Sequence, residues 1–137
     1  MIIDATDLIL GRVASYAAKK AMLGEKVDIV NCEKAVVTGN KRFIIADYKR
    51  KAARGTHAKG PFFPKVPDRL VRRTIRGMLP HKQPKGRDAF KRVMCYVGVP
   101  ANMHDQKFET IKEANISKLP KFKYLAVGAI TKQLSGK

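Results

Sequence analysis

Apolar residues in the first fifty positions switch between two spacings, and that alternation limits the fold more than any other feature of the chain. Ile2 and Ile3 form a short apolar run that meets Asp4, Thr6 and Asp7, polar residues suited to capping a following helix. From Leu8 onward, Leu10, Val13, Ala14, Ala17, Ala18 and Ala21 recur at three- and four-residue intervals, which predicts a helix stopped near Gly24. Val27, Ile29 and Val30 make a second strand, and residues 35–37 a third extended piece ending near Gly39. Asn40 then caps a helix to about Lys51, with Phe43, Ile44, Asp47 and Tyr48 repeating every three or four residues. Short strands alternating with helices call for an α/β layered fold on a mainly parallel sheet.

The rhythm breaks at residues 54–67. Gly55, Gly60, Pro61, Pro64 and Pro67 preclude a regular helix there, while Arg54, His57, Lys59 and Lys65 keep the stretch basic. A connection this long without regular structure is expected to be a functional, extended basic loop that orders on its partner. Beyond it, Asp68 is the expected N-cap of a helix ending at Pro80. A short helix over 87–93 should lead into the apolar run 93–99, expected to be the last core strand. Residues 118–123 are basic and interrupted by Pro120. Val127, Ile130 and Leu134 predict a small helix that closes a C-terminal segment, 118–137. A length of 137 residues fits a single domain, 1–137.

Charge says what such a domain would meet. The chain carries 29 Lys and Arg against 11 Asp and Glu, a formal +18. Residues 41–92 hold 17 Lys and Arg against three Asp, a net +14, whereas the remainder holds 12 against eight, a net +4. Charge that only kept the chain soluble would be interspersed with acids; this block marks a footprint for phosphates. No apolar run approaches the roughly 20 residues that span a bilayer. The opening residues lack the basic-then-apolar pattern of a secretory signal. Cys32 and Cys95 have no CxxC spacing, so two buried reduced thiols in a cytoplasmic protein are expected.

Arg69, Arg72, Arg73 and Arg76 fall at i, i+3, i+4 and i+7, one stripe of a helix, with Val71, Thr74, Ile75 and Met78 expected on the opposite side. Guanidinium groups are forked donors that match phosphate, so this stripe reads as a nucleic-acid contact. Lys82, Lys85 and Arg87 then surround a turn at Gly86, a basic elbow suited to a pair of phosphates. Enzyme readings find less support. Gly39-Asn40-Lys41 lacks the GxxxxGK[ST] spacing of a phosphate loop, and His57, His81 and His104 lack metal-ligand spacing. No nucleophile–base pair stands out, so no enzyme, cofactor, metal or small-molecule substrate is expected. A membrane role would need a bulkier apolar face behind the arginines. A general nucleic-acid packing protein is the alternative, and composition alone does not separate it from an RNA-binding assembly protein.

The stretch RGMLPHKQPKGRDAFKRVMCYVGVP, residues 76–100, closely resembles the signature region of the ribosomal protein uL13 family. The opening, IIDATDLILGRVASYAAKKAMLGEKVDIVNCEKAVVTGNK with its Leu10-Gly11-Arg12, is similar to the family's start, and GPFFPKVPDRLVRRTIRG resembles its connecting segment. The likeness runs from about residue 2 to residue 136. Residues 99–104, Val-Pro-Ala-Asn-Met-His, lack the His-Pro-His continuation of the bacterial pattern, and the chain resembles the archaeal or eukaryotic branch, its shortness favouring the archaeal.

The resemblance implies a three-layer α/β/α domain with a central parallel sheet, lodged in large-subunit rRNA early in assembly. It also implies a neighbouring large-subunit protein, often uL3. The family's basic elbow falls on Arg76, Gly77, His81, Lys82, Gly86 and Arg87. Taken together, the residues expected to meet rRNA are these six with Arg69, Arg72, Arg73 and Lys85. Lys41, Arg42, Lys49, Arg50, Lys51 and Arg54 form a second surface, His57, Lys59 and Lys65 lie in the loop, and Lys91 and Arg92 complete the set. Replacing Arg72, Arg73 and Arg76 together is expected to leave the fold intact while lowering the salt dependence of RNA binding.

Overall fold

Residues 1–136 are described in the computed structural model of the chain. Strand β1 (Ile2–Asp4) leads to helix α1 (Leu10–Met22), then β2 (Val27–Val30) and β3 (Val36–Thr38). Helices α2 (Lys41–Ala53), α3 (Pro67–Gly77) and α4 (Pro84–Lys91) follow, then β4 (Val93–Cys95), β5 (Tyr124–Ala126) and α5 (Val127–Ser135). Strands β1, β2 and β4 form a parallel sheet with β2 in the middle, in register Ile3↔Ile29↔Cys95. All four residues of β2 are buried, as a central parallel strand requires. The α/β fold with a mainly parallel sheet flanked by helices is therefore as the alternation of spacings led one to expect.

Period-two geometry sorts the strand residues between two faces. Ile3, Val27, Ile29, Val93 and Cys95 join the main core with α1, α3 and α5. The buried face of α1 is mostly alanine (Ala14, Ala17, Ala18 and Ala21), so α3 and α4 can approach it closely. Ile2 and Val30 point the other way, under Met103, Tyr96, Val99 and Phe108; this layer is thin, with one turn of 3-10 helix, Ala101–Met103. Burying side chains such as Ile3, Ile29 and Ile75 contributes about 1.5–3 kcal/mol each. Cys32 and Cys95 are buried free thiols, and the adjacent Cys32 thiol together with burial pushes Cys95 well above its usual range. Among the described residues no helix is long and apolar enough to cross a membrane.

Several boundaries differ from those read in the sequence, for identifiable reasons. Helix α3 starts at Pro67, because proline's fixed φ suits the first helical position; Val66 is the N-cap and Asp68 sits in the first turn. It stops at Gly77, three residues before Pro80, and the chain turns through 78–83. Pro84 likewise opens α4 at residue 84, earlier than 87. The last parallel strand is only Val93–Cys95, since Glu33 Oε2 accepts from the Gly98 amide at 3.0 Å and bends the chain away at Gly98, where φ is +66°. Strand β5 comes from a stretch left unassigned by its sequence, and it pairs antiparallel with β3 as a second small sheet.

At the C-terminal edge of the main sheet, Asp4 Oδ1 accepts from the Thr6 amide (3.0 Å), the Thr6 hydroxyl (2.7 Å) and the Asn31 side-chain amide (3.0 Å). Burial alone would raise the Asp4 carboxyl, but these donors outweigh it and hold the carboxyl below its ordinary value. They tie the end of β1 to Asn31, whose left-handed φ of 55° closes β2. A carboxylate depressed on folding adds stability above its unfolded pKa and loses it as pH falls through the folded value. Asp4→Ala should therefore lower stability by about 1–2 kcal/mol at pH 7, measured by urea unfolding. The gap between variant and wild type should narrow as the solution is acidified below the ordinary carboxylate range.

Candidate nucleic-acid interface

Helix α2 is capped by Asn40, whose side chain accepts from the Arg42 amide at 3.1 Å, and it fully buries only Ile44. Ile45, Asp47, Tyr48, Lys51 and Ala52 are half-buried, and its other side chains are exposed. Asp47 accepts from Arg50 at 2.6 Å and pairs with Lys51 at 2.7 Å, and the hydrogen bonds from Lys51 and Arg50 hold its carboxyl below the usual range. Among the described residues four ion pairs form, and only this aspartate engages cations of the 41–92 block. The remaining cations of the block have no carboxylate partner among the described residues.

Aromatic rings take the place of acids. Lys51 Nζ lies 5.0 Å from the centre of the Tyr48 ring, and Tyr48 meets Phe63 edge-on at 6.0 Å. The Arg73 guanidinium stands 4.8 Å from Phe63 and donates to the Phe62 carbonyl at 3.2 Å. This column straps the 54–67 loop between α2 and α3. The loop also closes on itself: Thr56 and Gly60 exchange backbone hydrogen bonds of 3.3 and 3.0 Å. A Cβ on Gly55, where φ is +84°, would fall 1.9 Å from the Gly60 oxygen, so the closure needs glycine. The loop thus carries internal anchors of its own, which glycine and proline content did not reveal.

The four arginines of α3 are not equivalent. Arg72 donates to the carbonyls of Val93 (3.0 Å) and Phe90 (3.4 Å), and its guanidinium covers the Phe90 ring at 4.1 Å. Arg72 and Arg73 are half-buried, whereas Arg69 and Arg76 are exposed. The helix buries Leu70, Val71 and Ile75; Thr74 is half-buried and donates to the Leu70 carbonyl, and Met78 is exposed. The expectation that Arg72 and Arg73 could be removed without cost to the fold is therefore corrected, because both hold backbone carbonyls of neighbouring segments. Arg92 does similar work, donating to the Ala21 carbonyl at 3.0 Å.

Three adjoining clefts, of about 360, 660 and 560 Å³, run between α2, the loop and α3. They bring together Lys51, Arg54, His57, Lys65, Arg69, Arg72, Arg73, Arg76 and Gly77. Other residues singled out in the sequence lie outside these clefts. Lys41 and Arg42 line a separate cleft with Phe122 and Lys123. Lys49, Arg50 and Lys59 are exposed on α2 and the loop, and Lys82, Lys85, Arg87 and Lys91 on the elbow and α4. His81 is half-buried, its Nδ1 3.4 Å from the Leu79 carbonyl. Gly86 is buried, and a Cβ there would sit 1.9 Å from the Pro80 oxygen; glycine lets α4 close on that turn. No group of three or more His, Cys, Asp or Glu suited to a metal occurs among the described residues.

A carbonyl- and aromatic-braced cationic surface on a parallel α/β core can be set against known proteins. A sequence model of the family described as ribosomal protein L13 matches residues 1–102, well over half of the chain. The chain belongs to the ribosomal protein L13 family. It is 44% identical over 137 residues to the large ribosomal subunit protein uL13 of Methanosarcina barkeri, covering 99% of this chain and 98% of that one. It is 46% identical over 140 residues to uL13 of Methanocaldococcus jannaschii (99% and 98% covered), and 42% over 134 residues to uL13 of Haloarcula marismortui (98% and 90%). These relatives are archaeal, in keeping with the branch that residues 99–104 suggested.

Within this L13-family domain, the residues missed by sequence reading are aromatic: Tyr48, Phe62, Phe63 and Phe90. For Phe62 and Phe63 the sequence signal is the Phe-Phe pair in the middle of a basic, proline-flanked segment. The division of labour among the arginines is testable by thermal unfolding. Arg72→Ala should destabilise the protein by about 1–3 kcal/mol, having lost two hydrogen bonds and a cation–π contact. Arg69→Ala with Arg76→Ala should change stability by less than about 0.5 kcal/mol, as exposed substitutions do.

Proposed function

We propose that this chain is a structural constituent of the large ribosomal subunit that binds and organises large-subunit rRNA during early assembly. The observation that carries this reading is the cationic surface of residues 41–92, almost without carboxylate partners, on a domain of the L13 family. Ammonium and guanidinium groups left without acids are stabilised by phosphates, and releasing the counterions of RNA drives the association. The contacting set is proposed to centre on Arg54, His57, Lys65, Arg69 and Arg76 at the clefts. Lys41, Arg42, Lys49, Lys59, Lys82, Lys85, Arg87 and Lys91 surround them. Arg72, Arg73 and Arg92 act mainly by holding these elements in place.

The resemblance also supports a protein neighbour in the large subunit, with uL3 as the candidate. No catalytic step enters this role. The protein would act by fixing where rRNA segments meet. Folded RNA is recognised by shape, phosphates and 2′-hydroxyls, so structured large-subunit rRNA should compete for the protein far better than duplex DNA of equal nucleotide mass at moderate salt. Filter binding with labelled rRNA and both competitors checks this. Equal displacement by the two would assign the protein to general nucleic-acid packing instead.

A further inference from the structure

Phe62 is 71% exposed, although it sits in the middle of the most basic part of the molecule. Single exposed apolar residues are common on protein surfaces and by themselves mean nothing. This one differs in its surroundings. Its ring is shared by two clefts: one of about 660 Å³, with Arg69, Arg73 and Arg76, and one of about 560 Å³, with Arg54 and His57. Its backbone is fixed, because the Phe62 carbonyl accepts from Arg73 at 3.2 Å. Its ring lies against Gly60, where even a Cβ would come within 3.0 Å of a ring carbon. The neighbouring Phe63 is by contrast consumed by packing, between Tyr48 and Arg73. The sequence thus places two phenylalanines side by side, turns one into the core and leaves the other as a held, uncovered aromatic face between free guanidinium groups.

We infer that Phe62 is a stacking platform for an unpaired rRNA base, with the flanking phosphates gripped by Arg69 and Arg76 on one side and Arg54 on the other. The chemistry is that of single-stranded recognition, in which an aromatic face takes the base and cations track the backbone. A nucleotide in a duplex keeps its base between neighbours and cannot offer a face to the ring. The site therefore selects a bulged, looped or splayed-out nucleotide. This assignment rests on the rRNA-binding reading above and adds which group meets a base, as opposed to a phosphate.

The chain contains no tryptophan, so Phe62→Trp introduces a single fluorescent reporter at an exposed position. Titration with transcribed large-subunit rRNA should quench its emission, while a fully paired 20-base-pair RNA duplex, at concentrations where filter binding shows it bound, should not. In parallel, Phe62→Leu keeps the apolar bulk and removes the π face. It should bind the rRNA about tenfold more weakly than wild type, with an unchanged salt slope and unchanged duplex binding. Bound rRNA without quenching, or a leucine variant that binds rRNA as wild type does, overturns the platform and leaves rRNA binding itself standing. An equal loss on rRNA and duplex also overturns it. If wild type shows no preference for rRNA over duplex DNA in the filter-binding competition, both this inference and the reading beneath it fall.

Discussion

Like-charge crowding is the constraint on which the rest of this structure depends. Seventeen cations within 52 residues would push α2, the loop and α3 apart if nothing held them, and only Asp47 among the described acids engages them. The fold answers with neutral acceptors. Carbonyls of Phe62, Phe90, Val93 and Ala21 take guanidinium donors, and the faces of Tyr48, Phe63 and Phe90 take cations. A carbonyl or a ring orients a cation without cancelling its charge. The surface is therefore rigid and still strongly positive, which an acid-paired surface would not be.

The parallel sheet supplies the rigidity behind that surface. With β2 buried between β1 and β4, and alanines on α1 allowing close approach, α3 is packed against a core that cannot slide by one residue without exposing it. Arg72 then reaches from α3 to the backbone of β4, so the basic helix is keyed to the sheet. Asp4, Asn31 and Glu33 hold the strand ends in place, which explains their concentration there without any catalytic role. The cationic surface and the core are thus two sides of α3.

Much of this was legible from residue order. Period-3.6 alanines marked α1, the apolar run at 27–30 marked the central strand, and the asymmetry of charge marked the flank. Less was legible where a residue had two possible duties. Pro67 reads as a breaker and Pro84 falls in the turn expected around Gly86, yet both start helices, because the first helical position has no use for an amide hydrogen. Strand β5 is three residues long and gains its identity only from β3, 86 to 90 positions away in the register Val36↔Ala126 to Thr38↔Tyr124. Arg72 and Arg69 are three residues apart on one helix; only the placement of Phe90 and Val93 decides that one is internal and the other free. Phe62 and Phe63 are adjacent, and only the tertiary position of Tyr48 separates their fates.

The cations of residues 41–92 are proposed to face polyphosphate in the assembled particle. The most direct measurement is acetylation of lysines in free protein and in purified large ribosomal subunits, read site by site by mass spectrometry. Lys49, Lys59, Lys65, Lys82 and Lys85 are all exposed in the free chain. They should react readily there and at least about tenfold more slowly in the subunit. Reaction of these lysines in the subunit at their free-protein rates would contradict the account.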